Sequence, residues 1–189
     1  MTLRNSKTEF GSFAKWLHWL VAIGICTLLW LGFKQAGMES SPERADVRAL
    51  HASIALIVFV LMIVRIVWRM ANVVPAHADG VPGWQKFAAR GAHWGLYIAV
   101  FLQILAGQLT IATGGDPLPF FGVFSIPLPI AENHAGHELW EEIHKSVWVI
   151  ILALLVVHIA GAVYNHFVLR NDVLRRMTVG LRNGGSENG

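Results

Sequence analysis

The stretch HKSVWVIILALLVVHIAGAVYNHFVLR, His144 to Arg170, decides the architecture. From Ser146 to Leu169 it is apolar for long enough to cross a bilayer as a helix, which takes about 20 residues, and yet it carries His158 and His166 and is preceded by His144. An ionisable side chain within a span is costly and by default faces the bundle interior. His144 and His158 are fourteen positions apart, roughly 21 Å along a helix axis and within about 40° of the same face. One helix thus offers two imidazoles on one face at two depths.

Working outward, three more stretches qualify as spans: Trp16 to Phe33, Leu50 to Trp68, and Gly91 to Ala112. Together they predict an all-α, integral membrane four-helix bundle, formed by residues 1–177 as one domain, with a polar, Gly-rich and disordered tail over residues 178–189. Composition agrees: 54% of the 189 residues are hydrophobic and 14% charged, with a mean hydropathy of +0.51, which excludes an ordinary soluble globule. The first stretch could be misread as a cleaved signal peptide, but it is long, has Trp16, His18 and Trp19 at its start and lacks a clear small-x-small cleavage site. A single cysteine, Cys26, excludes an internal disulfide, thiolate metal sites and covalent haem attachment through paired thiols. No nucleotide motif is present, and nothing in the sequence points to nucleic acid.

Lys and Arg near span ends set the orientation. Arg4, Lys7 and Lys15 precede the first span, Arg69, Lys86 and Arg90 flank the second-to-third connection, and Arg170, Arg175, Arg176 and Arg182 follow the fourth. These segments, and so both termini, are expected in the cytoplasm. The connection Thr113 to Glu142 has no Lys or Arg and carries Asp116, Glu132, Glu138, Glu141 and Glu142, so it is expected outside. The first-to-second loop is mixed, with Lys34, Arg44 and Arg48 against Glu39, Glu43 and Asp46. Ser41-Pro42-Glu43 reads as an N-cap, an N1 proline and an early acidic residue that start the second helix. The Pro- and Gly-rich run Gly114 to Pro129 reads as an outer loop whose Phe120, Phe121, Phe124 and Ile126 lie at the bundle mouth or among headgroups.

With this topology His18 falls at the cytoplasmic level with His158, and His51 at the outer level with His144. A lone intramembrane histidine often only bonds a neighbouring helix, but four in two layers read as ligands. Two imidazoles without a carboxylate or thiolate at equal depth suit haem iron, whose macrocycle supplies four nitrogens; bare zinc wants two more ligands. Ala52 and Ser53 beside His51, and Ala160 and Gly161 after His158, are small enough to admit a flat macrocycle. Arg65 and Arg69 either pair with haem propionates or meet lipid phosphates. His93 is a group beside a ligand, a quinone-site group or a backbone-bonded residue, and His166 either donates to a quinone carbonyl or snorkels to the interface. His134, His137, Glu138, Glu141 and Glu142 form a peripheral metal site or a solvated helix entrance. His77 has no assigned role, and the eight tryptophans mostly fit an interfacial belt.

In order and spacing, KWLHWL (Lys15–Leu20), ALHAS (Ala49–Ser53), VRIVWR (Val64–Arg69), AHWGLY (Ala92–Tyr97), EIHK (Glu142–Lys145), VHIAGA (Val157–Ala162) and NHFVLRNDVLRRM (Asn165–Met177) resemble the bacterial cytochrome b561 family of di-haem b inner-membrane proteins. The resemblance covers most of the chain. It implies axial haem ligands at His18, His51, His144 and His158, a quinone site at His166, and single-electron transfer across the membrane. It implies two haem b cofactors, superoxide oxidation outside and ubiquinone reduction in the bilayer, or else a subunit that passes electrons between quinol and a periplasmic redox partner. A haem-free proton or metal transporter using the histidines as a relay is a third reading. Superoxide is an anion, which a basic funnel would attract, whereas the third-to-fourth loop is acidic. A cysteine-accessibility scan is expected to report Gly114 to Pro129 outside the cytoplasm; labelling from the cytoplasmic side would invert the orientation.

Overall fold

The computed structural model describes residues 2–76 and 81–178; His77 and the tail expected to be disordered beyond Thr178 lie outside the described residues. Four long helices follow in order, α1 (Ser12–Ala36), α2 (Pro42–Ala71), α3 (Gly83–Thr113) and α4 (His134–Phe167), with two short strands, β1 (Leu118–Phe120) and β2 (Phe124–Ile126), between α3 and α4. All four helices are long and apolar enough to cross a membrane. Large apolar side chains such as Ile23, Val67, Ile98 and Val156 point outward and exposed, as lipid-facing surfaces do, because bilayer hydrocarbon is as apolar as a protein core.

The helix ends follow local chemistry. Ser41 Oγ accepts a hydrogen bond from Arg44 N at 3.2 Å and Pro42 occupies the first turn, so α2 starts as its sequence predicts. The fourth helix differs from expectation at both ends. It starts at His134 rather than at the edge of the apolar run, because Asn133 caps it by accepting from Gly136 N at 3.0 Å. The polar group His134, His137, Glu138, Glu141 and Glu142 therefore forms its first turns instead of lying beyond it. It ends at Phe167, so Val168 and Leu169 fall outside: both amides turn back to the Tyr164 carbonyl, and Arg170 adopts a left-handed φ of 51° that breaks the helix.

The helices pack as two helical hairpins, α1 with α2 and α3 with α4, joined by a thinner seam between α2 and α3. Glycines allow the close approaches within each hairpin: a Cβ on Gly24 would meet Val58 Cγ2 at 2.5 Å, and one on Gly95 would meet Leu154 Cδ1 at 3.2 Å. A buried core of Val21, Val58, Met62, Tyr97, Val100, Ile104 and Ile151 fills the middle of the bundle. Between α1 and α4 there is no comparable backbone seam; large side chains meet there instead, Phe33 against Trp148 with ring centroids 5.3 Å apart and His18 opposite His158.

One end of the bundle is laced by polar bonds from three separate segments. The N-terminal arm bonds the α2–α3 connection through Asn5 Nδ2 to the Val73 carbonyl (2.9 Å) and Ala76 N to the Lys7 carbonyl (3.0 Å). The C-terminal segment joins them: Arg176 donates to the Ala76 carbonyl at 2.7 Å and Trp19 Nε1 to the Met177 carbonyl at 2.9 Å. This terminal end brings the three basic segments together.

The opposite end carries the departure from the expected plain loop. β1 and β2 pair antiparallel, Phe120 opposite Phe124, and the turn has positive φ at Phe121 (50°) and Gly122 (71°). A left-handed conformation costs a non-glycine residue about 1–2 kcal/mol, and Ser53 compensates. Its hydroxyl is fully buried on α2, accepts from Phe121 N at 2.9 Å, and lies within donating distance of the Ala49 (2.7 Å) and Pro119 (3.1 Å) carbonyls. Ser53 is therefore filled by the hairpin rather than left small for a macrocycle. Ser53→Ala deprives the part-buried Phe121 amide of its partner at a cost of about 1 kcal/mol, and the detergent-solubilised protein is expected to melt roughly 2–4 °C lower, as differential scanning fluorimetry measures.

Candidate functional site

α4 carries the site because its repeat keeps one stripe inward: His144, Ile151, His158 and Asn165 recur every seven residues, with Ile151 and Asn165 buried and the histidines half-buried. Each histidine meets a partner on the other helical hairpin. His51 of α2 and His144 have ring centroids 6.2 Å apart with planes at 79°, near the end bearing the strands. His18 of α1 and His158 are also 6.2 Å apart, at 62°, toward the terminal end. Sequence reasoning paired these four in the same way.

Imidazole nitrogen sits about 2.0–2.1 Å from a bound metal, so two imidazoles coaxial on one iron place their ring centres roughly 6 Å apart. Both pairs have that spacing. His93 of α3 lies closer to His158, at 5.1 Å and 64°, too close for a metal between the rings, and so stands beside the pair. Among the described residues no group of three or more His, Cys, Asp or Glu could hold a bare metal ion. The donor sets thus fit a macrocycle that brings its own equatorial nitrogens.

His144 is the most constrained of the four. Its Nδ1 lies 2.9 Å from the Gln103 carbonyl, which can only accept, so the neutral ring carries its proton on Nδ1 and leaves the Nε2 lone pair free. Gln103 Nε2 returns a bond of 2.9 Å to the His144 carbonyl. Behind the ring lies Gly107, where a Cβ would meet His144 Cε1 at 2.8 Å, and a Cβ on Gly32 would meet His51 Cε1 at 3.7 Å. Gln103, Gly32 and Gly107 are site residues that sequence reasoning missed. A glutamine inside an apolar span was the available signal; the glycines gave none, since their partners come from other helices. His51 Nδ1 is buried and makes no hydrogen bond of good geometry; the backbone group that acts on the ring is that of Leu28.

At the other pair, Arg65 turns into the bundle rather than toward lipid phosphates. Its guanidinium donates to His18 Nδ1 at 3.1 Å and to the Ala14 carbonyl at 3.4 Å, and lies 6.0 Å from the ring of buried Tyr97. Arg69, one turn on, rests over the Trp94 ring at 5.9 Å. His166 is at the terminal end of α4, its Nδ1 buried without a partner and its ring against Phe167 at 4.7 Å. Neighbouring Asn165 and Asn171 are bonded to each other at 2.7 Å. The α4 entrance has a structural role instead: His137 Nδ1 donates to the Thr110 carbonyl at 2.8 Å, tying α4 to α3, while His134 and Glu138 pair on the surface at 3.3 Å.

The family model for prokaryotic cytochrome b561 matches residues 9–180. Cytochrome b561 homolog 2 of Escherichia coli (strain K12) is 28% identical over 184 residues, covering 94% of this chain and 95% of that one. A probable Ni/Fe-hydrogenase B-type cytochrome subunit of Rhizobium leguminosarum bv. viciae is 26% identical, covering 87% and 84%. A probable superoxide oxidase CybB of Yersinia pestis is 23% identical, covering 85% and 90%. Stacked histidine pairs, four spanning-length helices and a family match along nearly the whole chain lead to one conclusion: this chain belongs to the prokaryotic cytochrome b561 family, multi-pass electron-transfer proteins of the bacterial inner membrane that bind haem b.

Proposed function

We propose that the chain holds two haem b groups, one between His51 and His144 and one between His18 and His158, and carries electrons from superoxide at the periplasmic side to ubiquinone in the bilayer. The observation that carries this reading is the pair of 6.2 Å imidazole gaps stacked along one face of α4. Haem held by two imidazoles supplies reversible one-electron storage with little ligand rearrangement. The terminal end is cytoplasmic in this reading, in keeping with its basic segments.

The chain's own residues supply the rest. His144, clamped by Gln103, presents Nε2 inward. Arg65 and Arg69 lie where haem carboxylates can be paired; with iron on His18 Nε2 the ring proton resides on Nδ1, and Arg65 then needs another acceptor, which a propionate provides. His166 keeps an unspent ring nitrogen for a quinone carbonyl. Two superoxide anions give two electrons and leave as two molecules of oxygen, and ubiquinone takes those electrons with two protons to become ubiquinol.

A second reading, a cytochrome b subunit exchanging electrons between quinol and a periplasmic protein, is favoured by one feature. The outer rim is acidic, and its Lys145 is already engaged by Glu141 at 3.0 Å and Glu142 at 3.6 Å. Such a rim repels superoxide and attracts a cationic protein surface.

Two experiments separate these outcomes. A pyridine-haemochrome assay is expected to give about two haem b per chain in the purified protein and about one in His158→Ala; an unchanged count in the variant removes His158 from the ligand set. In the same cuvette, superoxide is expected to reduce the haems and a soluble ubiquinone analogue to reoxidise them. Haems that ignore superoxide yet equilibrate with quinol establish the subunit reading, and protein without a Soret band after haem-replete expression refutes both.

A further inference from the structure

The two histidine pairs differ in the charge beside them. Arg65 places a guanidinium 3.1 Å from His18 Nδ1, within the bundle and over buried Tyr97. Among the described residues no acidic side chain forms an ion pair with it. At the other pair the groups beside the rings are neutral backbone: the Gln103 carbonyl at His144 Nδ1 and the Leu28 backbone at His51. The cations there, Arg48 and Lys145, are surface-exposed and face Glu141, and Lys145 is held by two glutamates.

An electron added to a haem makes its site one unit more negative. A buried cation a few ångströms away, even one that also pairs a haem propionate, stabilises that added charge in a low-dielectric interior, whereas an exposed cation is screened by water and salt. Net charge and bonding around the ligands are among the protein's means of setting a haem potential. A hydrogen bond from His144 Nδ1 to a carbonyl acts in the opposite sense, since it makes the imidazole a more basic ligand that favours the oxidised metal.

We propose that Arg65 is a positioning residue that raises the reduction potential of the His18/His158 site above that of the His51/His144 site, so that electrons entering at the strand-bearing end collect at the terminal end. This deepens the two-haem reading and rests on it. With haem held at both sites, a single electron would pass from the group held by His51 and His144 to the group held by His18 and His158, the first oxidised and the second reduced, with no bond made or broken.

The test is a spectroelectrochemical titration of the holoprotein, with the His158→Ala variant identifying the potential of the outer haem. In the wild type the His18/His158 haem is expected to titrate at the higher potential. Arg65→Gln is expected to lower that potential by at least the equivalent of a tenfold change in the reduction equilibrium, 59 mV for one electron, and to leave the other haem in place. Arg65→Lys, which keeps the charge, is expected to keep most of the separation. A wild type in which the His18/His158 haem lies lower overturns the proposal, and this arm needs no Arg65 variant to fold. So does an Arg65→Gln protein with both haems and an unchanged separation, or an Arg65→Lys protein that falls as far as the glutamine variant. Wild-type protein with fewer than two haems refutes the two-haem reading beneath it, which the haem count registers separately.

Discussion

His144 packed on Gly107 fixes the register on which both histidine layers depend. The ring occupies space that a Cβ would fill, its Nδ1 proton is spent on the Gln103 carbonyl, and the Gln103 amide is spent on the His144 carbonyl. An α-helix is stiff over several turns, so holding position 144 against α3 also sets the direction of position 158, about four turns further along. In a bilayer this matters more than in water, because helices gain little by burying apolar surface against each other when lipid is equally apolar. Close approach at glycine and a few polar bonds do the aligning. α4 then presents its histidines to α1 and α2 across a gap without a backbone seam of its own.

That gap has a consequence for how the bundle is held together. Within each helical hairpin, Gly24 under Val58 and Gly95 under Leu154 bring the backbones close. Between α1 and α4 the contacts are rings, Phe33 on Trp148 and His18 facing His158. On the two-haem reading proposed above, a flat prosthetic group held between paired imidazoles would bridge such an opening and join two halves that apolar packing alone joins weakly. The polar lacing at the terminal end, from Asn5, Arg176 and Trp19, closes the bundle below the lower pair.

How much of this was legible in the sequence depends on whether the deciding force was local. Hydropathy and length located all four helices, and Ser41-Pro42 located the start of α2, because capping and spanning are properties of a short segment. The pairing of His18 with His158 and His51 with His144 was legible too, since alternating helix direction and a 1.5 Å rise convert sequence position into depth. What stayed hidden was set by distant partners. Ser53 looked like room for a macrocycle, yet it holds a hairpin 66 positions away. Asn133 started α4 well before the apolar run because a cap outweighed polarity in the first turns. Gly107 and Gly32 carry no sequence signal for contacting histidines on other helices.

Charge works at two scales in this molecule, and the two are consistent. The basic segments gather at the terminal end, as Lys and Arg do on the cytoplasmic side of a bilayer, while the rim beyond the hairpin end keeps its glutamates and neutralises Lys145. Arg65 departs from the interfacial pattern by facing His18 from within α2. An arginine at that depth is costly unless an anion or a dipole receives it, and the described protein supplies ring nitrogen, carbonyl and an aromatic face but no carboxylate. Its persistence there is best explained by a negative charge that the polypeptide does not itself provide. On the two-haem reading proposed above, a haem carboxylate and a transferred electron would supply that charge at the His18/His158 layer. The basic segments at the terminal end and Arg65 on α2 would then both favour electrons at that end of the bundle.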